Sequence, residues 1–277
     1  MTRHSRVEER PQDASRNPGR RDGLETAAAR PPRPAEATSW TVVIPVKGAP
    51  AAKSRLAPAV ADDARAMLAR AFALDTIAAA LAAESVGHVV VVGDDPALAG
   101  EAEFLAEPVD GPRNLTRAIA HGIAHARHLP VEEGAQRPSR NPAGARASVE
   151  SRDASLIDRR WGVAVLLGDL PALRPDELDA ALEAASRHPL AFARDADGTG
   201  TTLATATRGA VSVFEPQFGP DSAARHLAAG FVELAASDLT GLTRDVDTVD
   251  ALEAVLNHGV GDHTAEVVAH LADRKGT

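Results

Sequence analysis

Two acidic segments in the second half of the chain carry residues that could hold a metal ion. In VAVLLGDLPAL (163–173) a continuous apolar run ends on Asp169, and in TRDVDTVDAL (243–252) Asp245 and Asp247 lie two positions apart. Alternate residues of an extended segment point the same way, so the last two carboxylates are expected to face one side. Burying a carboxylate is costly unless a cation or hydrogen bonds compensate. Because Mg²⁺ prefers carboxylate oxygens, these three residues are the candidate metal ligands.

Each carboxylate also has an interpretation without a metal. Asp169 is suited to capping a turn, and Asp247 and Thr248 are suited to capping the helix predicted to follow them. We therefore rank Asp247 below Asp169 and Asp245 as a ligand. The residues alone leave both interpretations open.

A cationic loop is predicted after the first apolar strand. IPVKGAPAAKSRLAP (44–58) places Lys47, Lys53 and Arg55 among small residues. Such a loop could cradle a triphosphate through its backbone N–H groups and its cations. Its single glycine, Gly48, matches neither a Walker loop nor a GxGxxG turn. Taken alone, the segment is better described as a solvated basic loop.

Two glycine-containing segments could bind an anion. GTGTTLATA (198–206) offers flexible glycines and the hydroxyl of Thr201. FGPDSAARHLAAG (218–230) is predicted to begin a helix at about Ser222, and the free N–H groups and dipole at a helix start favour an anion. The alternative is that Asp221 simply caps this helix.

The composition argues against several classes of protein. The chain has 277 residues, a net charge of −9, no cysteine and only 3% aromatic residues, none of them tyrosine. The lack of cysteine excludes disulfides and thiolate chemistry and fits a cytoplasmic location. An acidic body with few aromatic side chains does not suit nucleic acid. No apolar run approaches the ~20 residues of a membrane helix, and the arginine-rich N-terminus lacks the apolar core of a secretion signal.

Apolar strands alternate with helical patterns along the chain. Strands are predicted at 40–46, 88–93, 103–108, 161–168, 190–194, 202–207 and 231–235. After a first helix, further helices are predicted at about 114–128, 175–187, 221–229, 248–257 and 262–273. The first helix is predicted to bury a stripe formed by Met67, Ala71, Leu74, Ala78 and Leu81. This order indicates an α/β protein with a mainly parallel sheet that is covered on both faces.

Two segments are predicted to stand apart from the packed domain. Residues 1–39 contain five prolines, eight arginines and six acidic residues without an apolar period, which predicts a disordered tail. Residues 130–155 are mostly polar, with Pro and Gly, which predicts a flexible insertion. The range 40–277 is predicted to form a single domain that carries this insertion.

Five segments, in this order, resemble a known enzyme family. VKGAPAAKSRLAP, VLLGDLPAL, GTGTTLATA, FGPDSAARH and TRDVDT are similar to segments of the CofC/FbiD family, the guanylyltransferases of coenzyme F-420 biosynthesis. The resemblance covers about residues 41–258, without the insertion. It implies a Rossmann-like, GT-A-like nucleotidyltransferase fold of three layers. It also implies a reaction that joins GTP to 2-phospho-L-lactate, phosphoenolpyruvate or 3-phosphoglycerate and releases diphosphate.

The resemblance further implies roles for individual residues. Asp169 and Asp245 would bind Mg²⁺, with Asp247 as the weaker candidate. The acceptor acid would contact Thr201, Gly219 and Ser222. The nucleotide would contact Lys47, Lys53, Arg55 and Asn114. Within the cationic loop, Lys53 and Arg55 are the candidate catalytic residues. The attacking phosphate oxygen is already mostly ionised at pH 7, since its second pKa is about 6, so no general base is needed. His226 is therefore assigned a structural or peripheral role.

The implied partners are GTP and a small phosphorylated three-carbon acid, with a downstream transferase that accepts the activated product. A homodimer is compatible with this assignment, whereas nucleic acid and membrane partners are not expected. The Ala- and Arg-rich composition is typical of a GC-rich bacterial genome and favours phosphoenolpyruvate as the acceptor. The alternatives are a nucleotidyltransferase for 3-phosphoglycerate, a sugar phosphate or molybdopterin, and a nucleotide-binding regulatory protein.

Overall fold

The computed structural model describes residues 38–46, 56, 60–111, 114–129, 161–235 and 239–275. Within these ranges the strands are β1 Ser39–Pro45, β2 Val86–Gly93, β3 Glu103–Ala106, β4 Trp161–Leu166, β5 Leu190–Arg194, β6 Thr201–Thr207 and β7 Val232–Glu233. The α-helices are α1 Asp62–Ala82, α2 Leu115–Ala126, α3 Pro175–Ala185, α4 Ser222–Ala228, α5 Thr240–Thr243, α6 Val249–His258 and α7 Asp262–Lys275.

The strands form one sheet in the order β3-β2-β1-β4-β6-β5-β7. Neighbouring strands are parallel except at β6, which is antiparallel to both β4 and β5. The predicted mainly parallel sheet is confirmed. Because β6 runs the other way, its first residues lie at the same edge of the sheet as the carboxyl ends of β1, β4 and β5.

The central strands are apolar on both faces because helices cover both faces. Val42 and Ile44 of β1 pack in a cluster with residues of α1 and α3, whereas Val43 packs with residues of α2 and α4. Alternate residues of a strand point to opposite faces, so a continuous apolar run fills both cores. The resulting arrangement is the predicted three-layer α/β fold.

The predicted buried stripe of α1 is partly wrong. Ala71 is buried, but Ala78 is exposed and Leu81 is 39% exposed, whereas Leu68, Phe72 and Ile77 are buried. The spacing of the apolar residues correctly predicts a helix. However, α1 packs against the sheet on one side and against α6 and α7 on another, so the residues that it buries differ from the predicted stripe. Neighbouring elements, and not periodicity alone, decide which face of this helix is buried. The short helix α5 was not predicted.

Several predictions concern residues outside the described ranges. These are the tail apart from Thr38 and Ser39, the insertion at 130–155, and the cationic residues Lys47, Lys53 and Arg55. The described residues, from Thr38 onward, form one compact unit. Among the described helices, none has both the length and the apolar character to cross a membrane.

A buried carboxylate of α1 is hydrogen-bonded to the start of α7. Asp75 of α1 is 7% exposed, and it accepts hydrogen bonds from the backbone N–H groups of His263 (3.0 Å) and Thr264 (2.9 Å) at the start of α7. The backbone at Gly261 passes close to Asp75. A Cβ atom on this glycine would lie only 2.4 Å from the Asp75 carboxyl carbon. Asp75 therefore satisfies N–H groups that the first turn of α7 cannot satisfy within the helix.

We expect Asp75→Ala to lower the free energy of unfolding by about 1–3 kcal/mol, because two buried N–H groups lose their acceptor. Urea denaturation followed by circular dichroism measures this change. Asp63→Ala is the matched control, since it removes only an exposed pair with Arg274 between the same two helices. This control should cost less than about 1 kcal/mol. Equal losses in the two variants would contradict the assigned role of Asp75.

Candidate active site

A cleft of about 620 Å³ lies at the carboxyl edge of the sheet. Ligands of open α/β sheets bind at this edge. The lining residues come from the ends of β1, β4 and β5, the start of β6, the segments before α4 and α6, and one residue each of α1 and α2. They include Pro45, Gly168, Asp169, Asp195, Thr199, Gly200, Thr201, Phe218, Gly219, Asp221, Ser222, Asp245 and Asp247. None of the described residues that line the cleft is basic, and five of them are aspartates.

Asp169 is held where β4 leaves the sheet. The Leu167 N–H donates to the Thr202 carbonyl (2.9 Å), which extends the pairing of β4 with β6. One residue beyond Asp169, the Leu170 N–H donates to the Thr76 hydroxyl of α1 (3.0 Å). The backbone on both sides of Asp169 is therefore fixed, and its half-buried carboxylate lines the cleft.

The other two carboxylates are positioned by the residue between them. Val246 is fully buried against Leu68 and Phe72 of α1, and its N–H donates to the Asp169 carbonyl (3.2 Å). Asp245 and Asp247 flank it and are half-buried. Because Val246 points into the core, its two neighbours point to the opposite side of the extended segment.

The three carboxylates come together in the cleft. One oxygen from each of Asp169, Asp245 and Asp247 lies within 4.8 Å of the others. Oxygen donors of this kind and number fit a hard divalent cation. The N-cap of α6 is Thr248, whose hydroxyl accepts the Ala251 N–H (3.2 Å).

A loop on the other side of the cleft is shaped by Asp195, which the sequence analysis did not single out. Its carboxylate accepts the N–H groups of Thr199 (3.0 Å) and Gly200 (2.8 Å). A Cβ atom on Gly200 would lie 2.1 Å from an oxygen of this carboxylate, so a larger residue there would displace the carboxylate from these two N–H groups. The loop leads directly into Thr201, which is 3% exposed and lines the cleft. The sequence does carry a signal for this role of Asp195: the aspartate follows a predicted strand and precedes a Gly-Thr-Gly turn.

The second predicted acceptor segment contains unusual backbone. Gly219 has φ of 113° and Asp221 has φ of 53°, both in the left-handed region. Asp221 occupies the N-cap position of α4, but its side chain makes no capping hydrogen bond. The segment is joined to the first loop, since the Ala223 N–H donates to the Thr199 carbonyl (3.1 Å). Ser222, 1% exposed, thereby lines the same cleft as Thr201.

The residues predicted to contact the nucleotide are only partly placed. Asn114 is exposed, and its side chain caps α2 by accepting the Arg117 N–H (2.9 Å). Its neighbour Leu115 lines the cleft, whereas Asn114 is not among the lining residues. The cationic residues Lys47, Lys53 and Arg55 lie outside the described residues. Val46, which precedes Lys47 in the sequence, lines the cleft.

The layered fold, with its acidic cleft at the carboxyl edge of the sheet, has a counterpart among solved structures. The crystal structure of a proposed nucleotide-diphospho-sugar transferase from Desulfovibrio desulfuricans G20 has a similar fold. The two agree with a TM-score of 0.54 at 15% sequence identity, over 84% of this chain and 95% of that one. The predicted Rossmann-like fold class is confirmed. No protein-family model matches the chain.

Relatives at higher identity define the family. Proteins named phosphoenolpyruvate guanylyltransferase from Streptomyces scabiei and Sanguibacter keddieii are each 44% identical to this chain. The alignments cover 84% and 83% of this chain and 97% and 84% of the respective relatives. The chain belongs to the phosphoenolpyruvate guanylyltransferase family, as its resemblance to the CofC/FbiD family predicted.

If Val246 sets the spacing of the carboxylates, Val246→Ala should weaken binding of a divalent cation several-fold while leaving every carboxylate in place. The cavity that it leaves should also cost about 1–3 kcal/mol of stability. Isothermal titration with Mn²⁺ or Mg²⁺ measures the affinity. The matched control is Val255→Ala on α6, in the same apolar cluster. It should cost similar stability with cation affinity unchanged, and an equal loss of affinity in both variants would contradict the positioning role.

Proposed function

We propose that this chain is a guanylyltransferase that transfers GMP from GTP to phosphoenolpyruvate. The products are enolpyruvyl-diphosphoguanosine, for coenzyme F-420 biosynthesis, and diphosphate. The observation that carries the proposal is that one cleft is lined by the three carboxylates and by Thr201 and Ser222. The names of the relatives support GTP and phosphoenolpyruvate as the substrates.

The electrostatics of the cleft support a metal-dependent reaction. Both substrates are polyanions, and five aspartates line the cleft, so cations are needed before the two phosphates can approach each other. We assign Asp169 and Asp245 as Mg²⁺ ligands, with Asp247 as a third. Bound there, Mg²⁺ would neutralise charge on the phosphates in the transition state.

The described part of the acceptor side offers neutral donors. In this proposal, Thr201 and Ser222 bind the phosphate or carboxylate of phosphoenolpyruvate through their hydroxyls. Gly219 allows the backbone to approach the acid closely, since it has no side chain and its positive φ is one that other residues resist. Hydrogen bonds from neutral donors to an ionised acceptor are roughly twice as strong as those between neutral groups.

On the nucleotide side, we assign Lys47, Lys53 and Arg55 to the phosphates of GTP and Asn114 to the neighbourhood of the nucleoside. Lys53 and Arg55 would stabilise charge that develops on the α-phosphate and on the diphosphate leaving group. A phosphate oxygen of the acceptor attacks the α-phosphorus, and the bond from that phosphorus to the bridging oxygen of the diphosphate breaks. The attacking oxygen is already ionised at pH 7. The reaction therefore needs no side chain to remove a proton.

The direct test measures diphosphate release by the purified chain with GTP and Mg²⁺. Phosphoenolpyruvate, 2-phospho-L-lactate and 3-phosphoglycerate are offered separately. We expect release with phosphoenolpyruvate that is lost when the metal is chelated. Release with another acid alone would replace the acceptor. Absence of release with all three acids, in protein that binds GTP, would favour a sugar-phosphate or molybdopterin substrate or a regulatory role.

Asp169→Asn and Asp245→Asn should each lower turnover by several orders of magnitude, because they remove ligand charge while keeping side-chain size. Thermal unfolding should show that both variants fold. Glu183→Gln is the matched control, since Glu183 is an exposed carboxylate at the end of α3 away from the cleft. Turnover close to that of the unchanged chain in either aspartate variant at saturating Mg²⁺ would contradict its assignment as a ligand.

Ser222→Ala should raise the KM for phosphoenolpyruvate about tenfold, because a hydrogen bond to an ionised group is lost. The KM for GTP should change little. Initial-rate kinetics with each substrate varied in turn separate the two constants. Ser186→Ala, at the C-cap of α3, serves as the control and should leave both constants unchanged. A change confined to the KM for GTP would move Ser222 out of the acceptor site.

The remaining partner and location assignments stay predictions. They are a downstream transferase that accepts the activated product, a homodimer and the cytoplasm. The predicted tail at 1–39 and the insertion at 130–155 also stay predictions.

A further inference from the structure

His226 of α4 is a buried histidine that the proposed chemistry does not use. Its side chain is inaccessible to solvent and stacks on Phe192, with the ring centroids 5.2 Å apart and the ring planes at 18°. Phe218 and Phe231 meet the imidazole ring edge to face. This apolar surrounding disfavours a charged ring, and burial lowers the pKa of His226 to about 4. The nearby Arg225 charge acts in the same direction, whereas the Ser222 carbonyl opposes it.

The hydrogen bonds of the ring determine which nitrogen carries the proton. The backbone N–H of Gln217 donates to Nε2 (2.8 Å), and an amide N–H can only donate. Nε2 must therefore be the acceptor nitrogen. A neutral imidazole has one N–H group, so the proton lies on Nδ1.

The protonated nitrogen faces a residue of the cleft. Nδ1 lies 3.0 Å from Oγ1 of Thr201. Its proton also has the Ser222 carbonyl as an acceptor, and because Nδ1 carries that proton, the Thr201 hydroxyl can only accept in this contact. A hydroxyl has one hydrogen of its own to donate, and the contact with Nδ1 does not use it. Thr201 lines the cleft, so that hydrogen is available to an anion bound there.

We propose that His226 is a positioning residue: its neutral, Nδ1-protonated ring orients the Thr201 hydroxyl so that it donates its hydrogen to the anionic acceptor. This inference rests on the proposed function, which places the acceptor at Thr201 and Ser222. The same ring joins the two acceptor segments, because Gln217 precedes Gly219 and Thr201 follows the Gly-Thr-Gly turn. A charged ring would add a second donor at Nε2, opposite the Gln217 N–H, and would break this connection.

The tautomer is tested first, because it requires no activity. Long-range ¹H–¹⁵N correlation spectra of the full chain at pH 7 distinguish a ring protonated at Nδ1 from one protonated at Nε2 or at both nitrogens. We expect the Nδ1-protonated form. Either of the other forms would overturn the proposal, whatever reaction the chain catalyses.

The orienting role is tested with two variants that each keep one half of the ring's hydrogen bonding. His226→Asn can place a donor near the position of Nδ1, whereas His226→Gln can place an acceptor near the position of Nε2. Both lose the stacking on Phe192, so their stabilities should fall by similar amounts. His226→Gln should raise the KM for phosphoenolpyruvate about tenfold, and His226→Asn should restore much of this loss. Equal changes in KM would indicate a merely structural role and overturn the proposal.

A double-mutant cycle with Thr201→Val isolates the coupling. In the Thr201→Val background, His226→Gln should have almost no further effect on the KM for phosphoenolpyruvate, whereas additive effects would overturn the proposal. His128→Gln, at an exposed position two residues after α2, is the control for the change of residue type. Calorimetric titration with phosphoenolpyruvate repeats the comparison without turnover. Binding without diphosphate release would overturn the proposed reaction alone, and no binding by the unchanged chain would overturn both proposals.

Discussion

The arrangement of the cleft depends on the contact between Val246 and the end of β4. Val246 buries its side chain against α1 and donates its N–H to the Asp169 carbonyl, which places Asp245 and Asp247 beside Asp169. Bringing three like charges within 4.8 Å of one another is electrostatically unfavourable, so something must hold them there. The buried valine supplies a hydrophobic anchor that does not depend on the charges, and a bound cation would then relieve their repulsion.

The reversal of β6 is the second constraint on the site. In a purely parallel sheet, the residue that begins a strand lies at the edge opposite the carboxyl ends. Because β6 is antiparallel to β4, Thr201 begins its strand beside the point where Asp169 follows β4. The described parts of the cleft therefore combine three clustered carboxylates, suited to a cation, with loops that carry the Thr201 and Ser222 hydroxyls as well as Asp195 and Asp221. A reaction between two anions needs both, because charge must be neutralised while the acceptor is held in one orientation.

The sequence indicated most of the strands and helices, because continuous apolar strands between helices have few other solutions than a two-sided sheet. It also indicated Asp169, since a carboxylate at the end of a buried strand calls for an explanation, and Asp245 and Asp247, since alternate residues of an extended segment face one side. It did not indicate Asp195, whose role depends on accepting two N–H groups of its own turn. The stripe predicted for α1 was partly wrong because α6 and α7 cover a face that periodicity within α1 cannot reveal.

The sequence by itself determined the α/β class, the family resemblance and the residue types available for chemistry, because these follow from local patterns and from the order of short motifs. Only the tertiary structure decided which of those residues meet. Asp169 and Asp245 are far apart in the chain, and their proximity depends on the packing of Val246 and on the order of the strands. The role inferred for His226 also depends on contacts that form only in the folded chain. A histidine in a helix can be charged or neutral, and the amide of Gln217 and the surrounding phenylalanine rings exist as its neighbours only after the chain has folded.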